Sequence, residues 1–303
     1  MNNQSGLNST WTDSLALNQH PDATALLAHL RTVHQRNTGF TETCASTCRD
    51  ETGRNSYEWL AEVVPDVDDT RVLDLACGSG PLLKILYDRH TKLQLKGVDM
   101  SPEELALAKV RLPDNAVDLL ELNAQDLTAI KDNSIDVVLC HWALTLMNPI
   151  APVLDEVRRV LSTGGRFAAL VDGPMNSAPG YADVHDLIYA YVQAELPSYG
   201  EIDLGDPRIR GTDSLSHLVS AAFPEAKVTV ESSVVSMEGP VTEMAETAAG
   251  FFYAAFILPP EIRRTMLSEL SNLLAESKNT GDVERKGRFS MPINRLLVVP
   301  RLK

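Results

Sequence analysis

Gly78 and Gly80 close an apolar run, Val72-Leu73-Asp74-Leu75-Ala76, and Asp99 ends a second one, Leu95 to Val98. Glycines at a strand end let the backbone approach a ligand, because a Cβ there would strain the turn or hold the ligand away. A carboxylate at the end of the neighbouring strand can grip a ribose diol. The pairing therefore suits an adenosine-containing small molecule. A dinucleotide turn places a third small residue where this chain has Leu83, and no Lys-Ser/Thr pair follows to make a phosphate loop. Asp74 lies inside the first run, where a carboxylate is costly to bury without a partner. A ligand ammonium, reached directly or through water, would be such a partner.

These residues need strands to carry them and helices to cover the strands. Strands are expected at Val72 to Ala76, up to Val98, at Val117 to Leu122, at Ile135 to Cys140 and at Arg166 to Val171. Asn55 with Glu58, and Ser101 with Glu104, have capping-box spacing and predict helix starts. Pro81 suits the first turn of the helix after the glycine turn. A helix from about Pro152 to Leu161 is expected to stop at Gly164-Gly165. Strands separated by helical segments imply a parallel, doubly wound α/β sheet covered on both faces. After Asp172 the rhythm changes. Helices are expected near Tyr181 to Leu196, Asp213 to Phe223, Val241 to Phe256 and Pro260 to Ser277, with strands at Ala226 to Val234 and Met291 to Val299. Before residue 52 one helix is expected, from about Asp22 to His34.

Composition narrows the function. The chain has 303 residues, is 44% hydrophobic and carries a formal net charge of -14, which argues against unspecific attraction to nucleic acid or anionic membranes. No leader-like segment and no apolar run of about eighteen residues is visible, so a cytoplasmic protein without a membrane span is expected. Cys44, Cys48, Cys77 and Cys140 lack zinc-ligand spacing as a set and are read as free thiols, with no metal site.

Asp74-Leu75-Ala76-Cys77-Gly78-Ser79-Gly80 resembles the signature turn of the class I S-adenosylmethionine-dependent methyltransferases, in their small-molecule, ubiquinone-biosynthesis-like (type 11) branch. Gly97-Val98-Asp99-Met100-Ser101, Asn123-Ala124-Gln125-Asp126-Leu127 and Ser134 to Ala143 are similar to the family's second, third and fourth motifs. The similarity covers about residues 55 to 172. It implies a Rossmann-like fold with a mostly parallel seven-stranded sheet and helical lid insertions, and S-adenosyl-L-methionine as cofactor. By the same resemblance, Asp74, Cys77, Gly78 and Gly80 form the cofactor turn and Asp99 takes the ribose hydroxyls. Met100 covers the adenine, Asn123 and Ala124 meet its edge, and Cys140 faces the methionine part. Asn123 departs from the more frequent Asp, though an amide oxygen still accepts the same bond.

Other residues keep two readings. His141, at a strand's carboxyl end, is a general base or substrate-orienting group, or a hydrogen-bonded wall residue. Tyr57 and Tyr181 are aromatics that could meet the sulfonium by cation–π attraction, with Tyr181 a candidate for the catalytic centre. Trp142 could shield the sulfonium or pack in the core. Arg208 and Arg210 could hold a substrate carboxylate or stay solvated, and His185 could face the cavity. The expected organisation is an N-terminal helical lid segment (1–54), a cofactor-binding core (55–172), and a C-terminal part (173–303) that completes the sheet and inserts further lid helices. The function expected is methylation of a small molecule, in secondary metabolism. One alternative is a cyclase that converts the cofactor to azetidine-2-carboxylate and methylthioadenosine, as relatives of this fold do. The other is a non-catalytic binding protein. A homodimer through the helical pair after Gly239 is open.

Overall fold

Apolar side chains on both faces of the predicted strands allow a sheet buried on two sides, and the computed structural model contains one. It describes residues 8–201, 204–275 and 285–300. The strands are β1 (Arg71–Leu75), β2 (Gln94–Asp99), β3 (Val117–Glu121), β4 (Ile135–His141), β5 (Leu161–Asp172), β6 (Ala226–Pro240) and β7 (Lys286–Pro300). Their order is β3-β2-β1-β4-β5-β7-β6. The first five are mutually parallel, and β7 runs antiparallel to β5. Strand order reverses between β1 and β4, the kind of switch point at which open α/β sheets bind ligands beyond their carboxyl ends.

The chain divides into two units. Among the described residues, one comprises 54–174, 204–233 and 293–300, and the other 8–53, 175–201, 234–275 and 285–292. In the first, Leu73, Leu75, Val138, Cys140, Phe167, Ala169 and Val171 pack with Val153, Leu154 and Val157 of helix Ala151–Val160 and with Leu215 and Val219 of helix Thr212–Ala222. Alternation along a strand turns the intervening residues to the opposite face. Paired register therefore places Asp74, Asp99, His141 and Asp172 on that second face. At the amino edge Arg71 makes a bidentate ion pair with Asp136, whose Oδ2 also accepts the Arg71 backbone N–H at 3.0 Å. Ser162 Oγ donates to Asp136 Oδ1 at 2.8 Å, which draws β5 into the same clamp. These bonds, Arg71's first among them, hold the Asp136 carboxyl well below the ordinary range.

The other unit contains helices Thr10–Ala16, Ala23–Arg36, Phe40–Thr47, Tyr181–Glu195, Val241–Phe251 and Pro260–Leu274. Trp11 stacks on His29 at 4.9 Å, and Ser198 Oγ donates to the Leu15 carbonyl at 2.6 Å.

Several boundaries differ from expectation. β5 begins at Leu161, so Gly164 and Gly165 lie within the strand instead of ending a helix. Ile135 pairs with Leu161 and a register shift follows before Val137, and Gly164, at φ +85°, supplies a backbone shape that tolerates such an irregularity. Helices Thr10–Ala16 and Phe40–Thr47 were not expected; each is only two turns long, too short for its periodicity to stand out. β6 and β7 extend well beyond the apolar segments that signalled them. The tail of the predicted Pro260–Ser277 helix, residues 276 and 277, lies outside the described residues.

Candidate functional site

The turn after β1 is shaped by three left-handed residues, Ala76 (φ +57°), Gly78 (φ +52°) and Gly80 (φ +77°). Gly80 is the N-cap of helix Pro81–Arg89, with Pro81 at the position that needs no N–H. A Cβ on Gly80 would lie 3.1 Å from that of Ala108, so glycine is favoured there by both φ and space. Cys77 donates its backbone N–H to the Val98 carbonyl at 2.9 Å, which stitches the turn to β2.

Asp99 completes that joint. Its Oδ2 accepts the Gly78 N–H at 2.8 Å and its Oδ1 accepts the Ser101 N–H at 2.9 Å. A carboxylate offers about four acceptor positions, and these bonds fix the orientation of Asp99 at the end of β2. The Ser101 cap is only half a capping box. Its hydroxyl accepts the Glu104 N–H, but its own N–H goes to Asp99. At Asn55 the reciprocal box forms with Glu58.

Asp74 is fully buried, and neither carboxyl oxygen has a hydrogen-bond partner among the described residues. Burial first, and then the charge of Asp99, raise its pKa well above the ordinary carboxylate range. A buried carboxyl left unsatisfied in a native structure calls for a ligand or a function. Cys77 and Cys140 are buried thiols, and burial pushes Cys140 up to about 12. Cys140 packs in the core cluster with Leu73 and Leu75, on the face away from Asp74, and Cys77 is buried in the turn after β1.

At the end of β4, helix Ser56–Ala61 covers His141. Ser56 Oγ lies 2.9 Å from His141 Nε2, and the Tyr57 ring stacks on the imidazole at 3.7 Å. Trp142 meets it edge-on at 4.9 Å. Burial pushes the imidazole down to about 3, so the ring is neutral near pH 7. The covering helix is anchored by Trp59, whose carbonyl accepts from Arg295 at 2.7 Å and whose ring lies 4.6 Å below that guanidinium.

The remaining expected residues fall into two groups. Met100, Asn123 and Ala124 stand half-buried just beyond the carboxyl ends of β2 and β3. Asn123 Oδ1 accepts the Gln125 N–H at 3.0 Å, a local turn that presents this segment's backbone. Tyr181 belongs to the helical unit, where it lies buried beside Phe252 and Phe289 at 5.8 and 6.1 Å. His185, in the same unit, stacks on Tyr189 at 4.0 Å and is 2.9 Å from Asp186. Arg208 is tied to Asp206 at 2.6 Å. No group of three or more metal-ligating side chains occurs among the described residues, and no helix among them is long and apolar enough to cross a membrane.

Two participants escaped sequence reasoning. Ser56 had no visible role beyond a helix start, because its partner His141 lies 85 residues away. Asp172 was visible only as the point where the strand rhythm ends. Trp142 Nε1 donates to its Oδ1 at 2.8 Å.

The family described as "Methyltransferase domain" matches residues 73–169. The protein named ubiquinone/menaquinone biosynthesis C-methyltransferase UbiE, from Desulfotalea psychrophila, is 28% identical over 151 residues, 49% of this chain and 59% of that relative. The chain thus spans about three-fifths of the relative's length. Among solved structures, the YcgJ protein of Bacillus subtilis aligns with a TM-score of 0.54 at 16% identity, covering 82% of this chain and 99% of that one. The [4+2]-cyclase SpnF aligns with a TM-score of 0.53 at 17% identity, covering 90% and 96%. At such identities the structural likeness is one of fold.

Proposed function

We propose that this chain, a member of the class I S-adenosylmethionine-dependent methyltransferase family, transfers a methyl group from S-adenosylmethionine to a small-molecule acceptor. The observation that carries this reading is the pair of carboxyl groups on one sheet face at the strand-order reversal. Asp99 is held by the glycine turn, and Asp74 is buried without a hydrogen-bond partner among the described residues. That donor set fits the cofactor. Asp99 would take the ribose hydroxyls and Asp74 the methionine ammonium, directly or through water. Met100, Asn123 and Ala124 would border the adenine, and the Gly78–Gly80 backbone would pass beneath the methionine tail.

When bound, S-adenosylmethionine supplies an electrophilic methyl carbon, so the protein's main task is alignment. His141 suits an orienting wall better than a base, since a neutral ring with so depressed a pKa is a weak proton acceptor at pH 7. Tyr57 and Trp142 fix its plane. The relative's name favours an acceptor used in quinone biosynthesis over an unrelated secondary metabolite.

The rival reading is conversion of the cofactor without methyl transfer; the [4+2]-cyclase with this fold shows only that fold alone does not select the reaction. Identifying the nucleoside product by mass separates the readings. Adenosylhomocysteine formed only with a small-molecule extract is the expected result. Methylthioadenosine formed without an acceptor would establish the cyclase reading, and affinity with no product would establish a binding protein. Asp99→Ala should cost about 1–3 kcal/mol of cofactor binding, a roughly 5- to 150-fold rise in Kd by calorimetric titration. Unchanged affinity would remove Asp99 from the site.

A further inference from the structure

We propose that Asp172 binds the acceptor, its Oδ2 receiving a hydrogen bond from a hydroxyl or amine of the molecule to be methylated. This rests on the methyltransferase reading above. Register puts the side chain in place. His141 pairs with Leu170 across β4 and β5, and alternation brings Asp172, two residues on, to the same face and beyond the same carboxyl edge. It therefore shares a face with Asp74, Asp99 and His141.

The carboxyl group is held on one side only. Trp142 Nε1 donates to Oδ1, whereas Oδ2 has no hydrogen-bond partner among the described residues. By contrast, Asp136 at the opposite edge has both oxygens engaged. Trp142 adopts φ +59°, ψ -21°, a left-handed backbone that a bulky aromatic residue seldom takes. Surrounding bonds hold that strain. The Trp142 N–H donates to the Leu170 carbonyl at 2.8 Å, and its own carbonyl accepts the Thr145 hydroxyl at 2.7 Å. Strained backbone that is held in this way is concentrated at functional sites. Here it delivers an indole N–H to one oxygen and leaves the other open.

The chemistry of the occupant follows. An ionised carboxylate only accepts, so its partner must present O–H or N–H. Burial raises the Asp172 pKa above the ordinary carboxylate value, while Arg210 in the turn Pro207–Arg210 and the Trp142 indole oppose that shift. With one cation already acting on the carboxyl, a neutral donor is a better match than a second cation. His141, with Nε2 beside Ser56, is left to shape the wall.

The test compares wild type, Asp172→Asn and Trp142→Phe. Each is incubated with S-adenosylmethionine and rising amounts of a protein-free filtrate of source-organism cells, and adenosylhomocysteine is measured. The amount of filtrate giving half-maximal rate should rise about tenfold or more in Asp172→Asn, as expected when a hydrogen bond to a charged group is lost. It should rise less in Trp142→Phe, which frees Oδ1 but keeps the carboxylate. Affinity for S-adenosylmethionine should stay at its wild-type value in both, and Tm should do so in Asp172→Asn. Acylating the amines of the filtrate beforehand abolishes product if the donor is an amine and spares it if the donor is a hydroxyl. Wild-type half-saturation in Asp172→Asn, or a parallel loss of cofactor affinity, overturns the proposal. If wild type itself binds S-adenosylmethionine but yields no adenosylhomocysteine, the methyltransferase reading has failed, and this assignment falls with it.

Discussion

Asp74→Asn is expected to make the ligand-free protein more stable while loosening its hold on S-adenosylmethionine. The carboxyl is fully buried with no hydrogen bond to either oxygen among the described residues, and a buried polar group left in that state costs about 1–3 kcal/mol by mutational measures. An amide of the same shape removes the cost of burying charge. The dependence on pH identifies the cause. Burial and Asp99 raise the Asp74 pKa in the folded protein, so above the unfolded value of about 3.9 the folded state binds more protons than the unfolded one. Stability contributed by this group is therefore present at low pH and is lost as pH rises through that window. Thermal unfolding of wild type should show this decline above about pH 4, and Asp74→Asn should lack it. The same variant should lose about 1.5–3 kcal/mol of cofactor affinity, the worth of a charge-assisted hydrogen bond. An identical pH slope in the two proteins would mean that Asp74 is solvated or paired in solution.

Gly97→Ala is expected to destabilise the protein by about 2 kcal/mol, and Gly97→Val by more. A Cβ at this position would stand 2.7 Å from Leu83 Cδ1, 2.8 Å from Leu119 Cδ2 and 2.9 Å from Cys77 Sγ. Three neighbours on three segments cannot all withdraw, and Leu83 is itself fully buried in helix Pro81–Arg89. Denaturant unfolding should show the midpoint falling with little change in slope. Because Cys77 belongs to the glycine turn, cofactor affinity should fall too. Wild-type stability in Gly97→Ala would show that β2 and that helix are less closely packed than described.

Those two residues also mark how far sequence reasoning reached. Asp74, Gly78, Gly80 and Asp99 were legible because strand and turn chemistry is local: an apolar run, a glycine turn and a terminal acid sit within a few residues of one another. The sheet followed from the alternation of strands with helices. Ser56 and the Trp142–Asp172 bond were not legible, since each depends on partners 85 and 30 residues apart and no periodicity records such a meeting. The misplaced start of β5 has a different origin. Gly164-Gly165 reads as a helix stop, yet the pair lies within a strand that pairs again beyond an irregularity. Local turn chemistry was overruled there by the ladder of β4.

The Asp136 clamp bears on how errors of folding are avoided. Sliding β1 past β4 by one residue would send every side chain of the strand to the other face, moving Asp74 into the hydrocarbon layer and Leu73 towards the polar rim. Arg71 and Ser162 can grip Asp136 in one alignment only, so misaligned sheets forfeit the whole grip. Fidelity of assembly is thereby stored at the end of the strands away from the chemistry. The opposite rim is then free to carry carboxyl groups chosen for what they hold rather than for what they stabilise.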